Sequence, residues 1–321
     1  MLTVLSRLGR LVSVLLAVTV LSFLLINFLP GDPTVALLGP AAGDPAASKA
    51  LRKDLNLDAS IPAQYKTWLG HALHGNLGKS YFLNRSVTSA IGERLPLTIE
   101  IMVLSELLAL SIAVPVGVGA ARKPGGLFDR MTGGALFGLL ALPSFMLGVL
   151  LIYLFAVNLK WLPATGQATW FHIGTGPVAT PVSILLPILT LAAGQMAVFG
   201  RLLRSEMIIT LRSEFIMVAK AKGISERRIL LRHALRPSSF SLVTVVGISI
   251  GALLGGTVIV ERMFALPGMG QLLVTSIYKR DYLVVQGGVV LVSVAFVLAN
   301  VAVDLIYAVL DPRVRTGARG T

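Results

Sequence analysis

Long apolar runs separated by polar stretches set the pattern of this chain. The runs fall at about 11–29, 97–121, 131–157, 184–199, 240–260 and 283–310. Most approach or exceed the roughly 20 residues an α-helix needs to cross a bilayer, and the longer ones leave room for tilt. The first is longer than the ~7–15 residues of a signal-peptide core. It is followed by Pro30-Gly-Asp-Pro33 and not by a small-residue cleavage site, so a retained helix is expected.

Two polar stretches are too long to be simple connections. Residues 31–95 carry short helical patterns around 49–55 and 62–73, which predicts a small folded insert. Residues 213–237 read SEFIMVAKAKGISERRILLRHALRP. Gly223 is a helix stop and Ser225 an N-cap, and an amphipathic run then ends at Pro237. The spacing predicts two short helices joined at Gly223, a basic pair lying on the membrane surface as a docking element. The expected divisions are a first helix at 1–30, the insert at 31–95, a five-helix core at 96–310 containing 213–237, and a tail at 311–321.

Composition places the chain in the bilayer. Hydrophobic residues make up 55% and charged residues 13%, and mean hydropathy is +0.81, against about a quarter charged in soluble domains. The net charge of +13 comes from Lys and Arg clustered beside apolar runs and not interleaved with aromatics, so it reports topology and not nucleic acid. Most of the 28 basic residues share a face with the N-terminus: Arg7 and Arg10, the group around Arg122 and Arg130, the series from Arg201 to Arg236, and Arg313 to Arg319. The positive-inside rule then puts both termini in the cytoplasm and the insert outside. With no cysteine, disulfides, thiolate metal sites and cysteine nucleophiles are excluded. The expected fold is all-α and integral to the membrane: six transmembrane helices, an extracytoplasmic insert after the first, and a cytoplasmic helix pair between the fourth and fifth.

Within the spans, Gly247, Gly251 and Gly255 recur every four residues, and Gly134 and Gly138 form a shorter series. Such spacing lets a second helix approach closely, either within the chain or from a partner subunit. Pro115, Pro143 and Pro187 predict kinks. Glu100, Glu106 and Asp304 fall at membrane depth, where charge must face a bundle interior, a wet cavity or a cation. Glu106, nearest mid-span, and Asp304 are the candidates for lining a route; a structural polar contact is the alternative for each. Gly78-Lys79-Ser80 lacks the first glycine of a phosphate loop, since Leu73 stands there. His71 and His74 lack a further ligand set, Asn84-Arg85-Ser86 is a short sequon of high chance frequency, and no catalytic constellation can be placed on common elements.

Five stretches in order carry a resemblance: FLPGDP at 28–33, LHGNLGKS at 73–80, AKAKGISERR at 219–228 with HAL at 233–235, VERMFALPGMG at 260–270, and YAVLDPR at 307–313. Together they resemble the first membrane subunit of bacterial ABC importers of the dipeptide, oligopeptide and nickel permease family, over nearly the whole chain. The resemblance implies that 213–237 is similar to the coupling loop that sits in a groove of a cytoplasmic ATPase. Ala219 matches the second alanine of that loop's motif and Gly223 its glycine. Met217 and Val218 stand where a glutamate and the first alanine are usual, and Glu214 stands where an acid is common. Glu214, Ala219, Ala221, Gly223 and Ile224 are the expected coupling residues.

What else it implies is a subunit that itself hydrolyses nothing, with ATP and magnesium on partner subunits and no cofactor in this chain. The implied partners are a homologous second permease, two ATPase domains and an extracytoplasmic binding protein resting on the 31–95 insert and the 261–283 loop. The implied setting is the bacterial plasma membrane, and peptides are the favoured substrate, with nickel chelates, glutathione or oligosaccharides as alternatives. A secondary transporter, ion-coupled through Glu106 or Asp304, is the competing class, for which inverted repeats are not found at strength.

Overall fold

The computed structural model describes residues 2–27, 34, 38, 44–54, 58–80, 82–165 and 181–310. The stretch at 28–33, His172 and the tail from 311 lie outside the described residues, as do the side chains of Asn300 and Asp304. The chain folds as two compact units, Met1–Thr98 with Pro267–Val297, and Ile99–Leu266 with Leu298–Thr321.

Among the described residues, four helical stretches are long and apolar enough to cross a membrane: Val87–Arg122, Val182–Leu211, Glu226–Met263 and Tyr282–Ala299. A bent pair, Leu127–Ala141 and Ser144–Asn158, makes a fifth if it is one span, and Val12–Leu24 is a shorter apolar helix. This is an all-α, multi-pass architecture, with four or five such helices among the described residues.

The first unit gathers α1 (Leu2–Asn27), α2 (Pro45–Asp54), α3 (Ile61–Leu73) and the opening of α4 (Val87–Arg122). It also holds α11 (Met269–Tyr278) and most of α12 (Tyr282–Leu310). Among the described residues the strands form a single hairpin, β1 (Lys79–Ser80) antiparallel to β2 (Arg85–Ser86). Asn84, in the turn, takes φ +51°, a left-handed conformation that asparagine tolerates better than most residues. Helix α3 is fixed to α1 by aromatic stacking of Phe23, Tyr65 and Trp68, and the Tyr65 hydroxyl lies 2.9 Å from Thr19 Oγ1. Val87, Ile91, Met269, Leu272 and Val284 form the core of this unit. Helix α4 begins at Val87, well before its apolar run at 97, and its first turns belong to this core.

The second unit is arranged around α7 (Leu185–Leu211). In the Val182–Leu211 stretch 67% of the apolar window is buried, against 28% in Glu226–Met263, which makes α7 the central element. It packs against α5 (Leu127–Ala141), α6 (Ser144–Leu151) and α10 (Leu235–Met263). Close approach is built from glycine: a Cβ on Gly117 of α4 would lie 3.1 Å from the carbonyl oxygen of Gly200 on α7. One on Gly256 of α10 would meet Leu191 at 3.2 Å. The predicted glycine series on α10 divides, with Gly247 buried, Gly251 half-buried and Gly255 exposed. Gly134 and Gly138 on α5 face open space.

The three prolines behave differently. Leu142 is extended (φ −94°, ψ 126°), as steric pressure from the following Pro143 favours, and the chain turns by 103° there. What reads as one span at 131–157 is therefore two helices. Pro187 sits in the first turn of α7, where its missing N–H leaves no bond unmade, and Pro115 lies inside α4, which is continuous to Arg122. Neither ends a helix. Pro237 does not end one either: a widened π-helical turn at Ile229–Ala234 precedes it, and α10 continues to Met263.

Candidate functional site: a glycine-ended elbow at the helix ends

The stretch between α7 and α10 folds as α8 (Glu214–Ala221), a reversal, and α9 (Glu226–Arg228) leading into the π turn. Gly223 has φ +72°, a conformation that a Cβ disfavours. Its amide donates to the Lys220 carbonyl at 2.9 Å, and the Ile224 amide donates to the Ala219 carbonyl at 3.2 Å. These two bonds form a Schellman stop, and Ile224 completes it by packing on the core that contains Ala219.

Helical spacing sorts the predicted residues onto two faces. Ile216 and Ala219 are buried with Ile229 and Leu203 of the same unit. Glu214, Met217, Val218 and Ala221 point outward with Phe215. The small side chain of Ala219 thus serves packing within this chain, and Ala221 is the small residue on the open face. Phe215, Met217 and Val218 are 52%, 57% and 54% exposed, an apolar patch on an otherwise basic segment.

Three polar anchors tie the elbow and its neighbouring loops to different helices. At the end of α4, the Arg122 guanidinium donates to both carboxylate oxygens of Glu226, at 2.7 and 3.0 Å. Both side chains are more than half exposed, so the pair fixes geometry more than it adds stability. At the end of α7, Ser238 donates to Thr210 Oγ1 at 3.0 Å, and Ser213 donates to the Thr210 carbonyl at 2.6 Å. At the start of α5, Asp129 is buried and accepts two hydrogen bonds from Arg204 of α7, one of them at 2.7 Å, and one from the Gly125 amide at 2.7 Å. Sequence reasoning missed these pairs. The one available signal was a lone acid, Asp129, in a basic loop beside an apolar run, and nothing local names a partner 75 positions away.

Of the predicted intramembrane acids, Glu106 on α4 accepts a hydrogen bond from Ser249 of α10 at 2.8 Å, beside the buried Gly247. Its other oxygen, and the Ser105 hydroxyl, are buried without a hydrogen-bond partner among the described residues. Glu100 is buried. Asp304 lies outside the described side chains.

In the first unit, the hairpin of the insert and the segment after α11 are joined. Ser80 donates to the carboxylate of buried Asp281, and Lys279 sits 5.1 Å from the centre of the Phe82 ring. Asp281 is the N-cap of α12, with its carboxylate near the Val284 amide. Burial raises its pKa above the ordinary carboxyl value, and the Ser80 hydroxyl and Val284 amide offset part of that rise. Its second oxygen and the Gln286 amide nitrogen are buried without a partner among the described residues. Elsewhere in this unit, the Met269 amide donates to Thr98 Oγ1 at 2.8 Å.

A bundle of apolar helices packed around one buried helix, several of them long enough to cross a membrane, is the architecture of an integral membrane protein. Comparison with known proteins gives the family. Residues 113–316 match the binding-protein-dependent transport system inner membrane component, and 1–102 match the N-terminal part of such membrane components. The chain belongs to this family of transport permeases. It is 38% identical over 313 residues to a putative peptide transport system permease protein of Brucella abortus strain 2308, covering 97% of this chain and 98% of that one. It is also 38% identical over 310 residues to the glutathione transport system permease protein of Pectobacterium atrosepticum, covering 97% of each chain. Among solved structures, the MetNI methionine ABC transporter in inward-facing conformations aligns with a TM-score of 0.55 at 17% identity, over 69% of this chain and 96% of that one. That likeness concerns the fold.

Proposed function

We propose that this chain forms half of the translocation pathway of an ATP-driven importer for peptides, with the elbow at 213–237 as its contact with a cytoplasmic ATPase. The observation that carries the reading is the division of α8 into two faces. Its inner face is packed on the chain's own core through Ile216 and Ala219, while its outer face presents exposed apolar side chains at Phe215, Met217 and Val218. Apolar surface of this kind invites a partner. Fully burying three such side chains is worth on the order of several kcal/mol, and the usual charged contact at position 217 is replaced by a hydrophobic one.

In this reading, six crossings leave both termini in the cytoplasm. ATP-driven closure of two ATPase domains pushes on α8, and the anchors at Glu226, Thr210 and Asp129 pass the motion to the ends of α4, α7, α10 and α5 as a rigid-body rotation. A second, homologous permease supplies the other half. A binding protein delivers solute to the face formed by the hairpin and the 267–283 segment, which the Ser80 and Asp281 contact holds together. Peptide substrates follow from the names of the relatives, one of which transports glutathione, itself a short peptide. Nickel chelates and oligosaccharides are the less supported cargoes.

Replacing Gly223 with Arg tests the reading. The helices should still insert, while ATP-driven uptake is lost and the ATPase subunits no longer copurify. Unchanged uptake and copurification would overturn it. The partnerless oxygen of Glu106 favours one competing reading, an ion-coupled carrier. Glu106→Gln separates the two, because proton-driven uptake should collapse, whereas ATP-driven uptake should survive or fall modestly.

A further inference from the structure

We propose that the groove between α5 and α7 is a binding site for one anionic phospholipid. The groove encloses about 760 Å³ and is graded along its length. Its loop end is lined by Asp129, Arg130, Arg204 and Ser205. Asp129 is committed to Arg204 and to the Gly125 amide, which cancels one charge of each sign. Arg130 at the loop end and Arg201 further in, beside Phe137, remain, so this half of the groove carries a net charge of about two positive units that the lining does not neutralise. The Arg201 guanidinium lies 5.5 Å from the centre of the Phe137 ring, within reach of a cation–π contact.

Beyond Arg201 the lining turns apolar, with Leu140 on one wall and Val198 on the other. Gly133 lines the groove and Gly134 beside it is exposed, and a Cβ on either would meet nothing within 4 Å, so helix backbone forms an open floor. From Asp129 to Leu140 the helix advances by roughly 16 Å at ~1.5 Å per residue. That is about the hydrocarbon depth of one leaflet of a ~30 Å core. A groove that is cationic in its loop half and apolar beyond it fits a molecule with an anionic head and an acyl chain. Free phosphate would occupy the cationic half and leave the apolar half empty, and a zwitterionic lipid would leave the excess charge unmet.

The inference rests on the reading of the chain as a permease of an assembled importer, and the test uses that assembly. The complex, purified in a neutral detergent, is titrated with phosphatidylglycerol, with phosphatidylcholine of the same chains, and with inorganic phosphate. Native mass spectrometry counts bound lipid and thermal melting reads stabilisation. Phosphatidylglycerol should be retained at one molecule per copy of this chain and should raise the melting temperature more than phosphatidylcholine. The double variant Arg130→Gln with Arg201→Gln should weaken phosphatidylglycerol binding by about tenfold or more, and Lys at both positions should restore most of it. Equal retention of phosphatidylcholine, stabilisation by phosphate alone to the same degree, or undiminished phosphatidylglycerol binding by the double variant would each overturn the site. Copurification of the ATPase subunits is scored in the same samples. If the lipid effect fails while the ATPases stay bound, this inference falls and the proposed function stands; if the ATPases are absent from the wild-type preparation, the proposed function is what falls.

Discussion

One contact at a helix end differs between the two compact units. In the unit of α5, α7 and α10, Arg122 pairs with Glu226 at the surface, where both partners are more than half exposed. In the unit of the insert and α11, the corresponding contact is a serine on a carboxylate at Asp281, itself 3% exposed and with one oxygen unpartnered. An exposed ion pair can part and re-form at little cost because water replaces either partner. A buried carboxylate cannot. The first arrangement suits a part that moves and the second a part that stays put.

Four substitutions sharpen or break that contrast. The largest effect is expected for Gly117→Leu, because the new Cβ falls 3.1 Å from the Gly200 carbonyl and from Leu203 Cβ, both on the rigid central helix. Overpacking of about 3 kcal/mol should lower the yield of folded protein and its melting temperature; a normal melt would show that α4 and α7 slide freely. Next is Arg204→Met, which leaves the buried Asp129 carboxylate without its cation and should cost roughly 3 kcal/mol in thermal unfolding. Adding Asp129→Asn to that variant should recover most of the loss.

Asp281→Asn is expected to act through pH. Because the folded-state pKa is raised, the folded state holds its proton more tightly than the unfolded one, so stability falls as pH rises from the ordinary carboxyl range through the raised value. The asparagine variant should be at least as stable as the wild type near neutrality, the advantage vanishing below about pH 4. Unfolding midpoints across pH read this out, and a variant less stable at every pH would refute the assignment. The smallest stability effect belongs to Arg122→Gln, whose melting temperature should match wild type while the uptake achieved per ATP hydrolysed drops. A large loss of stability there would erase the distinction between the units.

Much of the fold was legible because run length and helix punctuation are local properties. The runs at 97–121, 184–199 and 240–260 correspond to α4, α7 and α10, and Gly223 ends α8 by the mechanism its residue type implies. The run at 131–157 is two helices, since Pro143 turns it by 103° where a kink was expected, and the size of a turn depends on what each half packs against. Here α6 is drawn onto α7 and α10, where a Cβ at Gly148 would collide with Met263 and crowd Thr190. Pro237, read as a terminus, proved to lie inside a helix that a π turn had already relaxed.

The sequence by itself determined that the chain is a bundle of bilayer-length helices interrupted by one glycine-ended elbow, because apolar length and a left-handed glycine are dictated by residues adjacent along the chain. Tertiary structure alone decided which way the elbow faces. Ala219 turns inward and Phe215, Met217 and Val218 outward because Ile229 and Leu203 occupy the inner side. It also decided which charges meet: Asp129 with Arg204, Arg122 with Glu226, Ser80 with Asp281. Those partners stand 75, 104 and 201 positions apart, and the packing that joins them leaves no trace in the order of residues around any one of them.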